Sequence, residues 1–201
     1  MNASLPVHPK DQMIAAALAL VRARGPAATG FADIIEASGA PRGSIYHHFP
    51  AGKAQLLEAA VRRAGEAVSG AILSQGRGAS SPGEAVRRVA ALFIDPPRAS
   101  NWSLGCPVAA VAGEGDHQPE SVRAAVAETF ALWADAVQQV LEAAGVARPA
   151  SPAFAQAVLA GIEGGLIVAR GLRDGAPYAA IVDALAVAAD TLGSQVSRDA
   201  D

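Results

Sequence analysis

The sequence has a single cysteine, few aromatic residues and no signal-type leader. With Cys106 alone, no intrachain disulfide can form, which fits a reducing compartment. Aromatic residues make up 4% of the chain and β-branched runs are scarce, so a β-rich fold is not expected. Charges or glycines interrupt every apolar stretch before it reaches membrane-spanning length, and the N-terminal residues lack the apolar core of a signal peptide. These absences predict a cytoplasmic protein with no membrane partner.

Alanine, the best helix former, is the commonest residue, and the 201 residues are enough to bury a sizeable core. An all-α fold is therefore predicted. The net charge is −3, but it is unevenly distributed. Residues 1–63 carry seven basic and four acidic side chains, whereas the remainder carries nine basic and fifteen acidic ones. A polyanionic partner would therefore meet the N-terminal part of the chain.

The stretch 31–53 predicts two short helices joined by a tight turn. Gly39 stands where such a turn needs a residue that tolerates positive φ, and Pro41 occupies what would be a first helical position. Ile45 and Phe49 are four residues apart, so they share one face of the second helix and can anchor it to a core. A helix-turn-helix unit is the structure that this pattern predicts.

The second helix, predicted over about 42–49, has this apolar face on one side and mostly polar residues on the other. The opposite face and one flank carry Arg42, Gly43, Ser44, Tyr46 and His47. A DNA major groove admits one helix, phosphates accept hydrogen bonds from arginine, tyrosine and serine, and a glycine lets the backbone come close. We therefore predict a DNA-reading helix, and an ordinary helical hairpin is the alternative interpretation.

The same residues carry a family resemblance that covers about residues 10–63. The pattern resembles the DNA-binding domain of the TetR family of transcriptional regulators, and it consists of Gly39-x-x-Arg42-Gly43-Ser44-Ile45-Tyr46-His47-His48-Phe49-Pro50, then Lys53 and Leu56-Leu57. Pro41 departs from the family, since many members have a serine there that caps the reading helix. The resemblance implies a homodimeric repressor that binds double-stranded operator DNA.

Roles for individual residues follow from these expectations. Thr29 precedes the first helix of the pair and is predicted to cap it, to contact a phosphate, or to do both. Lys53 begins a long helix, where its charge opposes the macrodipole, so a phosphate contact is favoured over a solvated lysine. Tyr46 and Arg42 are expected to hold phosphates as well. Candidates for base edges are Arg42, Ser44 and His47.

Proline and capping signals predict the remaining helices. Their predicted ranges are about 9–24, 53–74, 82 to Pro96-Pro97, a short helix from Pro107, 119–144, 152–174 and 177–195. The resulting division is an N-terminal helix-turn-helix DNA-binding domain, 1–63, ordered from about residue 9, and a C-terminal helical ligand-binding and dimerisation domain, 64–201. The last two helices are rich in small residues and amphipathic, as a dimer interface of four helices requires.

A second resemblance involves the Gly105-Cys106-Pro107 segment together with the Gly39-Ala40-Pro41 turn. These segments are similar to one branch of the TetR family, which includes regulators of multidrug export that respond to flavonoid-like or antibiotic molecules. This resemblance implies a small hydrophobic effector and a ligand-sensing domain over about 64–195. The predicted ligand-binding residues are Phe93, Trp102, Cys106, Phe130, Trp133, Glu163 and Ile167.

Each ligand residue has an alternative role. Aromatic residues at helical spacing are commonly part of a core. Glu163 interrupts an apolar run, and it can face a cavity, face solvent, pair with Arg170, or lie at a dimer interface. Cys106 is interpreted as a small buried residue rather than a redox sensor.

Other functions receive less support from the sequence. His117, with Asp116 and Glu114, forms a weak metal cluster for which a solvated loop is the favoured interpretation. No phosphate loop, metal motif or nucleophile–base pair is recognisable, so neither a cofactor nor catalysis is expected, although a helical enzyme using Cys106 or Glu163 is an alternative. A DNA-binding dimer without small-molecule input is another.

Overall fold

The computed structural model describes residues 8–41 and 43–198 of the chain, and these residues form helices joined by turns, with no strand among them. The predicted all-α fold is confirmed. The helices are α1 (Pro9–Arg24), α2 (Phe31–Ser38), α3 (Ser44–His48), α4 (Lys53–Gly76), α5 (Pro82–Ala99), α6 (Pro107–Ala112), α7 (Glu120–Ala143), α8 (Ser151–Leu172) and α9 (Ala176–Arg198), with a short 3₁₀ helix at Gly115–His117.

The chain separates into two compact units. The N-terminal unit comprises the chain up to Ala64 together with Pro107–Thr129, and the C-terminal unit comprises Gly65–Cys106 and the chain from Phe130 onward. Helices α4 and α7 each contribute residues to both units. The predicted boundary between functional domains at residues 63 and 64 stays a prediction. Nothing in the sequence patterns indicated that α6 and the beginning of α7 pack with the N-terminal unit.

The N-terminal unit is built around the apolar faces of its first three helices. Its buried core includes Met13, Ala17, Ile34, Ile45, Phe49 and Leu56. Ile45 and Phe49 are fully buried, as their spacing predicts. Because both anchors of α3 face this core, the other side of the short helix faces away from it. The fold thus exposes Tyr46 and His47, two of the residues that the sequence assigned to DNA contact.

In the C-terminal unit, close approach between α8 and α9 depends on glycine. A Cβ atom at Gly161 would lie 2.8 Å from a Leu185 methyl carbon, and one at Gly165 would lie 2.7 Å from a methyl carbon of Ile181. The Tyr178 hydroxyl, at the beginning of α9, donates a hydrogen bond of 2.6 Å to the carbonyl of Ala90 in α5. This hydrogen bond holds the beginning of α9 against α5.

Two predicted helix boundaries are wrong. Helix α3 begins at Ser44 rather than Arg42, and Pro41 lies outside it, because Gly43 serves as the N-cap and glycine is a poor residue for a helix interior. Helix α5 does not stop at Pro96 but continues to Ala99. Proline has a helical φ, and near a helix end few hydrogen bonds remain to be lost, so this helix accommodates two prolines in its final turns.

Two local predictions on caps hold in part or whole. Gly39 adopts φ of 67° at the C-cap of α2, as the turn requires. Ser81 caps α5, because its hydroxyl accepts a hydrogen bond of 3.2 Å from the Glu84 amide. The spacing of Ser81 and Glu84 is that of a capping box, in which the Glu84 carboxylate would accept from the Ser81 amide. The carboxylate accepts from Ser80 instead. Hydrogen bonds from Ser80, followed by that from Arg88, lower the pKa of Glu84 to about 2.

Candidate functional site

Helix α3 presents an exposed polar surface on the N-terminal unit. The Tyr46 side chain is 65% exposed, and Gly43 and His47 are exposed as well. The Tyr46 ring packs edge-on against Phe31 of α2, with 5.7 Å between ring centroids. This contact restrains the ring while leaving the phenol hydroxyl accessible. A rigid aromatic stem with an accessible donor suits a phosphate contact.

The beginning of α3 is a tight turn with its own hydrogen bonds. The Ser44 hydroxyl donates to the Pro41 carbonyl at 2.6 Å, and the Ser44 amide donates to the same oxygen at 2.9 Å. The hydroxyl keeps its acceptor capacity, which can serve a base or a water molecule. A Cβ at Gly43 would meet no atom within 4 Å, so this residue leaves space at the surface. Arg42, assigned to both phosphates and bases, lies outside the described residues.

Thr29 is not the cap of α2, contrary to the prediction. Its side chain is fully buried, and its hydroxyl donates to the Gly25 carbonyl at 2.8 Å. Gly30 is the N-cap instead, and the Asp33 carboxylate accepts a hydrogen bond of 2.8 Å from the Gly30 amide. That bond, followed by the one from Arg24, lowers the pKa of Asp33. A phosphate contact at Thr29 remains a prediction, but its hydroxyl faces inward.

Lys53 has a structural partner that sequence patterns did not indicate. Its ammonium donates to the Pro26 carbonyl at 2.6 Å, which holds the beginning of α4 to the turn between α1 and α2. The neighbouring amide of Ala27 donates to the Glu114 carboxylate at 2.8 Å. An ammonium has three donors, so two remain for a phosphate after the bond to Pro26. The phosphate role of Lys53 thus stays a prediction compatible with this geometry.

Three histidines lie together at the end of α3. His48 packs edge-on against His47 and against His8, with ring centroids 5.1 and 5.2 Å apart respectively. His8 is also the N-cap of α1, where its ring accepts a hydrogen bond from the Lys10 amide. Burial, followed by the nearby charges of His47, His8 and Lys10, lowers the pKa of His48. His48 therefore packs against the residue that caps α1.

Within residues 8–41 and 43–198, no group of three or more histidine, cysteine or acidic residues could hold a metal ion. The weak cluster around His117 is divided among other contacts. Glu114 binds the Ala27 amide, and Asp116 lies 3.8 Å from a guanidinium nitrogen of Arg123. These residues therefore support the turn beside α6.

The C-terminal unit contains a groove between α7 and α8 with a volume of about 380 Å³. Its lining comes from both helices and consists of Phe130, Ala131, Ala134, Gln156, Leu159, Ala160 and Glu163. The lining is mostly apolar, and Glu163 is the one charged residue among the described residues that line it. A groove of this size and character can hold a drug-sized molecule and orient it by one polar group.

Glu163 has an unusual environment for a carboxylate. Both of its side-chain oxygens are buried, and neither has a hydrogen bond of normal geometry to any described residue. Burial raises the pKa of Glu163, and a weak hydrogen bond from the Cys106 thiol lowers it in part. Arg170 is not its ion-pair partner among the described residues; it packs against Gly105 and donates to the Ser103 carbonyl at 3.4 Å. Because both oxygens are enclosed, a role facing solvent does not match this arrangement, and roles in a cavity or at a dimer interface stay predictions.

The structure brings together some of the predicted ligand residues. Phe130 and Glu163 line the groove, and Cys106 lies beside Glu163. Trp133 packs edge-on against both Phe130 and Phe93, with centroids 5.7 and 5.8 Å apart. Trp133 and Phe93 are buried, and the Trp133 indole donates to the Gly65 carbonyl at 3.0 Å. Trp133 and Phe93 therefore belong to the core, and Trp133 contacts Phe130 from the core side.

Two predicted ligand residues lie elsewhere. Trp102 is near Gly175, and the Ile167 side chain is 63% exposed on the outer face of α8; neither lines the groove. Several lining residues were missed, namely Ala131, Ala134, Gln156, Leu159 and Ala160. The α8 members precede Glu163 by three, four and seven residues, so helical periodicity from Glu163 was the signal that could have found them.

The outer surfaces of α8 and α9 expose large apolar side chains. These are Ile167, Val168, Leu172 and Val187, each between 49% and 65% exposed. By length and mean hydropathy, α8 and the first nineteen residues of α9 could cross a membrane, although two charged residues interrupt each segment, Glu163 and Arg170 in α8 and Asp183 and Asp190 in α9. By length and composition alone, the core helices of soluble proteins meet the same criterion, so a membrane protein is not indicated.

Comparison with known proteins agrees with this geometry. The family model for bacterial regulatory proteins of the TetR family matches residues 13–60, and the model for the C-terminal domain of LmrA/YxaF-like transcriptional regulators matches residues 82–184. An HTH-type transcriptional regulator of Mycobacterium tuberculosis is 38% identical over 180 residues, which cover 84% of this chain and 88% of the relative. The HTH-type transcriptional regulator LmrA of Bacillus subtilis is 29% identical over 168 residues, covering 84% and 89%.

Solved structures show the same fold. A TetR transcriptional regulator from Legionella pneumophila superimposes with a TM-score of 0.80 at 24% identity, covering 92% of this chain and 97% of that one. A TetR-family regulator from Agrobacterium tumefaciens gives a TM-score of 0.76 at 26% identity, covering 89% and 95%. These relatives are regulators, so the alternative of a helical enzyme is excluded. The chain belongs to the TetR family of DNA-binding transcriptional regulators.

Proposed function

We propose that this regulator is a homodimeric repressor that leaves its operator when a small hydrophobic ligand binds in the C-terminal unit. The observation that carries the DNA-binding half of the proposal is the two-sided character of α3. Ile45 is fully buried, whereas Tyr46 beside it is 65% exposed. A helix held by a core on one side and exposing donors on the other is suited to a major groove.

The contacts in the groove divide into two kinds. Tyr46 and Lys53 hold phosphates, and the sequence assigns Arg42 to the same role. Ser44 and His47 approach base edges, and Gly43 provides space for the backbone to come near the DNA. Phosphate contacts set the register and raise affinity on every sequence, whereas base contacts supply selectivity.

Dimerisation uses the exposed apolar face of α8 and α9. TetR-family regulators bind operator DNA and form dimers, and the exposed Ile167, Leu172 and Val187 side chains provide a surface that a second copy can bury. A two-fold dimer matches a palindromic operator if its two reading helices are about 34–36 Å apart, or a multiple of that distance. We propose a cytoplasmic location, because a regulator of this kind meets its operator there.

The groove between α7 and α8 is the proposed effector site. A ligand there lowers DNA affinity only if it binds the DNA-free state more tightly than the DNA-bound state. Coupling of about 1–3 kcal/mol would weaken operator binding by about 5- to 150-fold. The groove favours this reading over a dimer without small-molecule input, because a mostly apolar opening of about 380 Å³ is what a small ligand requires.

Replacement of Tyr46 by alanine tests the assigned reading surface. We expect weaker binding by a similar factor on specific and random DNA, because a phosphate contact carries no sequence information. The exposed side chain implies an unchanged dimer and fold. Leu132→Ala, an exposed position in the C-terminal unit, is the matched control. A folding defect in the Tyr46 variant, or binding equal to that of the control, would remove Tyr46 from the interface.

Replacement of Arg42 by alanine tests the sequence-based assignment directly. Loss of one phosphate contact should lower the affinity and also reduce the slope of log affinity against log salt by about 1. Titrations of operator DNA by fluorescence anisotropy at several salt concentrations measure both quantities. An unchanged slope with unchanged affinity would show that Arg42 does not contact DNA.

A further inference from the structure

The peptide group between Pro26 and Ala27, in the turn that joins α1 to α2, is held on both sides by charged side chains. The Lys53 ammonium donates to its carbonyl oxygen at 2.6 Å, and its N–H donates to the Glu114 carboxylate at 2.8 Å. The carbonyl and the N–H of a trans peptide point in opposite directions. The two side chains therefore lie on opposite sides of one planar group, within the N-terminal unit.

Each of these hydrogen bonds strengthens the other. Both are charge-assisted, because one partner is an ammonium and the other a carboxylate, and such bonds are about twice as strong as neutral ones. The Glu114 carboxylate also polarises the peptide group, so that its oxygen becomes a better acceptor for the Lys53 ammonium. Loss of Glu114 should therefore weaken the bond that Lys53 makes, although the peptide group lies between the two side chains.

The Glu114 carboxylate is itself held in place. Its second oxygen accepts a hydrogen bond from the side chain of Gln118, which is a buried residue. The Gln118 carbonyl in turn accepts from the Arg123 guanidinium of α7 at 2.8 Å. One carboxylate oxygen thus binds the turn after α6, and the other binds the turn between α1 and α2.

The turn between α1 and α2 has its own hydrogen bonds. The Pro26 carbonyl also accepts from the Thr29 amide at 3.2 Å, and the Thr29 hydroxyl donates to the Gly25 carbonyl at 2.8 Å. The shape of this turn is therefore set locally. Its position beside the beginning of α4 depends on the two side chains that hold the peptide group, Lys53 and Glu114.

The geometry points to Glu114 as a positioning residue for DNA binding, which fixes the place of the Lys53 ammonium through the Pro26–Ala27 peptide. This inference rests on the proposed function, since it concerns the phosphate contact proposed for Lys53. The ammonium uses one of its three donors on the Pro26 carbonyl, and two remain for a phosphate. An ammonium that is already held loses less conformational entropy on binding a phosphate than one on an unrestrained side chain.

This role reverses the effect that charge alone predicts. DNA phosphates repel a carboxylate, so removal of an acidic side chain from the N-terminal unit should by itself strengthen DNA binding. If Glu114 positions Lys53, its removal should weaken DNA binding instead. The direction of the change in affinity therefore separates the two cases.

The measurement is fluorescence anisotropy of the full-length protein on a labelled duplex of random sequence, since a phosphate contact does not depend on the bases. The Glu114→Ala variant should bind about three- to tenfold more weakly than the natural protein. The Glu114→Gln variant has the same net charge as Glu114→Ala but keeps an oxygen that can accept from the Ala27 amide. Its affinity should therefore stay within about twofold of the natural protein or become higher.

Two further measurements show whether the effect passes through Lys53. Glu114→Ala should reduce the slope of log affinity against log salt by up to about 1, as Lys53→Ala does, although it removes no basic residue. When Lys53 is already alanine, Glu114→Ala should change the affinity by less than about twofold. Glu120→Ala removes an exposed carboxylate at the beginning of α7 in the same unit. This control should bind DNA at least as tightly as the natural protein.

Thermal unfolding verifies that each variant is folded, and a half-buried side chain such as Glu114 should be removable with little loss of stability. The inference is wrong if Glu114→Ala binds like Glu120→Ala, if Glu114→Gln binds as weakly as Glu114→Ala, or if the losses from Glu114→Ala and Lys53→Ala add up.

The same titrations separate this inference from the proposed function. If Lys53→Ala weakens binding and Glu114→Ala does not, the phosphate contact of Lys53 stands and the positioning role of Glu114 is wrong. If Lys53→Ala has no effect on a natural protein that binds the duplex, both the contact and the positioning role are wrong. If the natural protein binds no duplex at low salt, the proposed function itself is contradicted.

Discussion

Truncation of Ile167 to alanine gives a quantitative test of the proposed dimer face. The side chain is 63% exposed in the single chain, and alanine lacks three of its carbon atoms. Each buried carbon contributes about 0.8 kcal/mol, so covering the exposed part of these atoms stabilises the contact by about 1.5 kcal/mol per subunit. A two-fold interface contains the position twice, which gives about 3 kcal/mol and a dimer dissociation constant about 100-fold higher.

Sedimentation velocity across a dilution series measures this constant. Leu132→Ala is the control, because Leu132 is 41% exposed but lies on α7 rather than on the outer surface of α8 and α9. The control should dissociate at the same concentration as the natural protein. If Ile167→Ala leaves the dissociation constant unchanged, or if both variants weaken the dimer equally, the interface does not use this face of α8.

Two further predictions concern stability and pH. The Gly165→Ala variant should be less stable towards urea than the Gly70→Ala variant by about 1–3 kcal/mol. The reason is that a Cβ at Gly165 would lie 2.7 Å from Ile181, whereas a Cβ at Gly70 would meet no atom within 4 Å. Equal unfolding midpoints of the two variants would show that α8 and α9 can move apart at little cost. The lowered pKa of His48 means that the folded state resists its protonation, so unfolding free energy should fall as pH drops below about 6.5 and level off below the folded-state pKa. The His48→Gln variant should show a weaker dependence of the unfolding free energy on pH. An unchanged dependence would show that His48 is not its source.

The sequence predicts the reading helix because local rules and the core agree there. Ile45 and Phe49 are spaced for one helix face, and both are fully buried. Gly39 is required by the turn and has the positive φ expected. The predicted start of α3 is wrong because Pro41 and Gly43 lie two positions apart, and a turn and a first helical turn give similar sequence signals there.

Contacts between distant parts of the chain could not be predicted from local patterns. The bond from Lys53 to the Pro26 carbonyl joins residues 27 positions apart. The contact between Glu114 and the Ala27 amide spans 87 positions. In both contacts, reasoning from a single sequence assigns the side chain to solvent or to a ligand. Only the packing of the helices shows which carbonyl or amide group lies within reach of that side chain.

The candidate ligand site shows the same limit. Phe130 and Glu163 were predicted from their chemical character, and both line the groove. Ile167, another predicted ligand residue, is four residues from Glu163 on α8, but its side chain is 63% exposed and does not line the groove. Residues that face a cavity and residues that face the outer surface differ by only a small angle around the helix axis. Composition therefore identifies the helix that contributes to a site, but neighbouring helices decide which of its faces does so.

Binding of the purified protein to DNA from beside its own gene tests the central claim most directly. Fluorescence anisotropy at two salt concentrations, with random DNA as the competitor, measures affinity, selectivity and salt dependence together. The account predicts tight, sequence-selective binding by at least two subunits per site, which weakens as salt rises. If the protein binds the DNA from beside its gene no more tightly than random DNA, even at low salt, the assignment of α3 as a reader of that sequence is contradicted.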